Sequence, residues 1–117
     1  MKPVPSFVAM ALAAVVLSGC GGPPSDASQK EFCAQLKKVN TEKSWKATKE
    51  AVGKLEEIGT PKGISDSARE GFVELAATTK KSSDREGLLK SIEGLNASDR
   101  KQLTAFNDYV TKACAGS

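Results

Sequence analysis

Apolar residues recur along most of the chain at intervals of three and four, the period of a helix with one buried face. Polar clusters divide that pattern into five segments. The first carries Phe32, Cys33, Leu36 and Val39 behind Ser28-Gln29-Lys30-Glu31, a capping box whose end residues each satisfy a free backbone N–H of the other. This predicts a helix from about Gln29 to Val39, with Asn40-Thr41 as a polar break. Trp45, Ala51, Val52, Leu55 and Ile58 give a second stripe, starting at Glu42 or Trp45, while Glu42, Lys46, Glu50 and Lys54 alternate in sign on its solvated side. Gly59-Thr60-Pro61 ends it, since glycine accepts the left-handed cap and proline lacks the N–H that the ladder needs. A third helix starts at Ser65 or at the box Ser67-Ala68-Arg69-Glu70, buries Ala68, Phe72, Leu75, Ala76 and Thr79, and ends at Lys80-Lys81-Ser82. Ser83-Asp84-Arg85-Glu86 opens a short fourth helix with Leu88, Leu89, Ile92 and Leu95. Its Gly87 and Gly94 each cost about 1 kcal/mol relative to alanine. Ser98 with Asp99 caps the last helix, which runs to about Cys114 and buries Leu103, Phe106, Val110 and Cys114, with Tyr109 at its edge. No segment alternates with the period of a strand. The expected class is all-α, a small helical bundle.

The N-terminus follows a different rule. Lys2 precedes an uncharged run of 11 residues from Phe7 to Leu17, whereas a membrane span needs about 20. The run therefore reads as the apolar region of a signal peptide. At its end stands Leu17-Ser18-Gly19-Cys20, which resembles the lipobox of bacterial lipoproteins. That resemblance implies cleavage before Cys20 and a diacylglycerol thioether on its sulfur, with or without an amide-linked acyl chain. Two or more chains hold a protein durably at a membrane. The implied location is the outer face of the cell membrane. Gly21 is not the aspartate that retains lipoproteins in the inner membrane of Gram-negative bacteria, so in such an envelope outer-membrane sorting would follow. The expected organisation is a signal peptide over 1–19, a lipid-anchored flexible tether over 20–28 and a helical domain over 29–117. Extended, that tether would reach roughly 25–30 Å.

Composition narrows the chemistry. The chain is 39% hydrophobic and 26% charged, which is ordinary for a globular protein. A formal charge of +3, one unit of it on Lys2 in the signal, falls short of the basic face that nucleic acid requires. The sequence has no histidine, and so lacks the commonest general base and metal ligand. Glu56 and Glu57 are helix neighbours that do not face each other. No zinc, haem or phosphate-loop spacing occurs. We therefore expect no enzyme activity, no metal and no cofactor beyond the covalent lipid on Cys20.

With Cys20 consumed, Cys33 and Cys114 remain as an even pair in an oxidising location. We expect a disulfide between them. It would bring the start of the first helix to the end of the last, which in an up-and-down bundle requires an even number of spanning helices. Four main helices plus one short one satisfy this, the extra being the Ser83–Leu95 piece or the short first helix.

Three residues have the side chains that interfaces favour, being large, amphipathic and able to stack or fork: Trp45, Arg69 and Tyr109. Their plainer roles are core, solvated helix and core edge respectively. Lys37-Lys38 and Lys80-Lys81 could meet anionic headgroups or simply be solvated, and Asn96-Ala97-Ser98 matches a glycan acceptor pattern of no use to a bacterial lipoprotein. Taken with the Phe32-Cys33 opening, the Thr60-Pro61 turn and the closing Phe106, Tyr109 and Cys114, the chain resembles the small helical lipoproteins of actinobacteria. That resemblance implies an anchored location and a helical fold, and carries over no active site. The expected function is a non-enzymatic interaction or envelope protein with a protein or cell-wall partner, marked by an exposed apolar patch of several hundred Å². The alternative, a small-ligand carrier, requires a cavity of roughly 300 Å³ or more.

Overall fold

Helices end where a side chain or a glycine can take over the unpaired backbone groups, and here each start has its own cap. The computed structural model describes residues 22–116; the signal segment, the lipobox and Cys20 lie outside the described residues. Five helices follow: α1 (Gln29–Thr41), α2 (Trp45–Ile58), α3 (Asp66–Lys81), α4 (Arg85–Glu93) and α5 (Ala97–Ala113). No strand occurs among the described residues. Ser28, Ser44, Ser65, Asp84 and Asn96 each accept a free N–H from the first turn of their helices.

Three starts differ from expectation or decide between alternatives. The third helix uses Ser65, not the Ser67 box. Asp84 caps α4 in place of Ser83, its Oδ1 accepting from the Gly87 amide at 2.7 Å. Asn96 caps α5 in place of Ser98, its Oδ1 accepting from the Asp99 amide at 2.8 Å. Asp99 remains in the positive first turn of α5, where a carboxylate is stabilised. The earlier start also gives the Asn96 side chain a structural use. At the other boundary, α1 runs through Asn40-Thr41, since the Thr41 hydroxyl bonds back to the Lys37 carbonyl at 3.0 Å.

The main helices pack in a ring: α1 against α2, α2 against α3, α3 against α5, and α5 back against α1. α4 touches α3 from outside and is the non-spanning element. The Cys33–Cys114 disulfide is present, with Cα atoms 5.4 Å apart. Beside it, Gln29 Nε2 donates to the Ala113 carbonyl at 2.8 Å. Four spanning helices bring the two chain ends together, as the pairing requires.

Inside the ring, Phe32 of α1, Phe72 of α3 and Phe106 of α5 meet as three mutually tilted rings, with centroids 5.6–6.2 Å apart. Cys33 and Leu55 complete this core. Edge-to-face pairs of this kind are favoured by the ring quadrupoles beyond simple burial. α3 and α5 approach so closely at Gly71 that a Cβ there would lie 2.2 Å from the Gln102 carbonyl oxygen. The expected apolar face of α4 is not buried: none of its residues is, and Leu89 is 55% exposed. A nine-residue helix that packs mainly on α3 has too little surface opposite it to cover four apolar side chains.

The segment read as a tether is not free where it is described. The Thr60 amide donates to the Pro24 carbonyl at 2.9 Å, and the Ala27 amide donates to the Thr60 carbonyl at 3.1 Å. Residues 23–27 thus form a strap across the α2–α3 turn. Gly59 permits this contact with φ +87°, where a Cβ would lie 2.2 Å from the Pro24 oxygen.

Candidate functional site

Chain order divides the bundle into two ends. The strap, the start of α1, the end of α2, the start of α3 and the end of α5 share one, the strap end. The end of α1, the start of α2, the end of α3 and α4 share the other, the distal end.

At the strap end, Arg69 in the first turns of α3 is committed to residues 23 and 24. Its guanidinium donates to the Pro24 carbonyl (3.2 Å), to the Thr60 hydroxyl (2.7 Å) and to the Pro23 carbonyl. Thr60 is fully buried. An arginine fork suits this task because its donors are fixed in one plane and can engage several acceptors together. Arg69 is therefore a structural clamp and not an outward-facing binding group. Tyr109 packs half-buried against the aromatic core, and burial raises its phenol above the ordinary value. It takes the core-edge role.

Trp45 sits at the distal end, on the first residue of α2. Its indole N–H donates to the Ser82 carbonyl at 3.0 Å, an acceptor that Lys49 Nζ shares at 3.3 Å. The Arg85 guanidinium lies 5.9 Å from the Trp45 ring centre, within cation–π range. Together they border a half-open cavity of about 150 Å³ that reaches inward to Leu55, Phe72 and Phe106. Two threonines line it, Thr48 and Thr79. Each hydroxyl donates to its own helix, Thr48 to the Ser44 carbonyl at 2.9 Å and Thr79 to the Leu75 carbonyl at 2.7 Å. Both hydroxyls are satisfied in this way, so neither needs a partner in the cavity.

The three residues singled out by side-chain type therefore fall at three separate places, and only Trp45 meets a cavity. Two residues of structural weight are silent in the sequence. Arg85 is there the third residue of a capping pattern, and its position over Trp45 arises from packing 40 residues along the chain. Gln35 is buried on α1 and donates to the Ala51 carbonyl at 3.0 Å, tying α1 to α2. Lys80 pairs with Glu56 at 2.8 Å across α3 and α2. Among the described residues no group of three or more acidic, cysteine or histidine side chains could hold a metal ion. No helix among them is long and apolar enough to cross a membrane. Comparison with known proteins finds no matching family model, curated protein or solved structure.

Proposed function

We propose that the protein is a lipid-anchored domain at the outer face of the cell membrane that works by binding rather than by catalysis. The observation that carries this reading is Leu17-Ser18-Gly19-Cys20 at the end of an 11-residue apolar run. Two features support it. The oxidised Cys33–Cys114 pair suits an extracytoplasmic compartment. The strap, fixed by Arg69 from Pro23 onward, leaves about three residue steps between it and Cys20, roughly 10 Å when extended. A lipid on Cys20 would hold the strap end close to the headgroups and turn the distal end outward.

The partner of such a domain is a protein or a cell-wall polymer. A second reading, a small-ligand carrier, is favoured by the cavity beside Trp45. Its volume of about 150 Å³ falls short of the roughly 300 Å³ that a carrier of drug-sized ligands requires, which counts against that form of the reading and leaves room only for a smaller ligand. Leu89 is the exposed large hydrophobic residue among those described, which gives the carrier reading more weight than a broad apolar docking patch.

Cys20→Ala tests the anchor. The substituted chain is expected to lose incorporated fatty acid and to leave the detergent phase on partitioning. Unchanged labelling and partitioning would overturn the lipobox reading.

A further inference from the structure

We propose that the distal cavity binds a small amphipathic monocarboxylate, with its apolar part inside and its carboxylate at the mouth against Arg85. The proposal rests on reading the domain as a binding module and goes on to name the ligand class.

Size comes first. An apolar cavity of about 150 Å³ accommodates a benzene-sized molecule, so the buried part of the ligand has about six to eight heavy atoms. The walls are chemically simple. Val52, Leu55, Leu75, Leu88 and Phe72 surround the space, and the Thr48 and Thr79 hydroxyls are already satisfied by their own helices. Asn40 of α1 also lines it and is exposed, so the inner walls call for no polar tail in the ligand.

The mouth differs from the interior. Arg85 is exposed, with its guanidinium 5.9 Å from the Trp45 ring centre. The salt bridge among the described residues joins Lys80 to Glu56, so Arg85 has no carboxylate of its own. Neither acidic chain neighbour pairs with it: Asp84 Oδ1 accepts from the Gly87 amide, and Glu86 forms no ion pair with Arg85. An exposed guanidinium has N–H donors that match a carboxylate with two parallel hydrogen bonds. A positive fork above a small apolar cavity selects an anion with a short hydrocarbon group. It disfavours the matching amine, whose charge would meet Arg85. Leu88 belongs to α4, none of whose residues is buried, so this wall can yield as the ligand enters.

The chain has one tryptophan, so its emission reports on this site directly. The lipidated protein in phosphatidylcholine vesicles would be titrated with hexanoate, 1-hexanol and hexylamine. We expect a saturable emission change with hexanoate, at least about tenfold weaker binding of 1-hexanol, and weaker binding still of hexylamine. Arg85→Gln, a change at an exposed position, should weaken hexanoate by about tenfold or more and leave 1-hexanol unaltered. Absence of a saturable response to hexanoate would overturn the proposal. Equal affinities for the three probes, or hexanoate binding indifferent to Arg85→Gln, would do the same. Either failure leaves the Cys20 labelling result untouched; unchanged labelling of Cys20→Ala would overturn the anchor, and the same titration of the protein as isolated would still read the cavity.

Discussion

Replacing Cys33 and Cys114 together by alanine is expected to cost about 4.5 kcal/mol of stability. The two residues are 81 positions apart, and cross-linking a loop of that length removes about this much chain entropy from the unfolded ensemble. A domain of this size has about 5–14 kcal/mol in total, so the variant should stand near the edge of folding. The ring explains why no other contact substitutes for the bond. α1 meets α5 far less extensively than α3 does, and apart from the disulfide a hydrogen bond from Gln29 to Ala113 joins their ends. Thermal melting of the variant should fall by about 20–35 °C. Amide exchange should accelerate first in α1. A melting point within a few degrees of the parent would show that packing alone closes the ring.

Phe32→Ala is expected to cost about 3–5 kcal/mol, the usual range for removing a large aromatic side chain from a core. Phe32 has no exposed surface. Its ring touches Phe72 edge-on at 5.9 Å and Phe106 at 6.2 Å, so one side chain from α1 is held by both α3 and α5. Truncation leaves a cavity at the point where three helices meet. The control is Leu89→Ala on the exposed side of α4, which should change stability by no more than about 0.5 kcal/mol. Equal losses for the two substitutions in urea denaturation would place the core elsewhere.

The parts of this fold that are local in sequence are legible there. Five helices, their buried stripes and the stop at Gly59 follow from periodicity and capping chemistry. The disulfide follows from counting cysteines once Cys20 is set aside. Cap choice is less determinate where patterns overlap by one or two residues. Ser83 and Asp84 both precede a helix start, and so do Asn96 and Ser98; the connection that must be spanned decides between them. α4 shows a further limit. Leu88, Leu89, Ile92 and Leu95 have helical spacing, but spacing cannot say whether a surface waits opposite them. The candidate site depends on longer-range contacts still. Arg69 stands out for its chemistry, yet its acceptors lie 45 and 46 residues back along the chain, in a stretch whose glycines and prolines suggest a free tether. Arg85 is inconspicuous in sequence, because only the meeting of α2 with α4 sets it over Trp45.

Intact mass spectrometry of the mature protein's N-terminal peptide, isolated from membranes, tests the central claim most directly. The account predicts a chain that begins at Cys20 and carries a diacylglycerol mass on its thiol, followed by unmodified Gly21 and Gly22. A chain that retains residues 1–19, or one that contains Cys20 as a free thiol or in a disulfide, would contradict it.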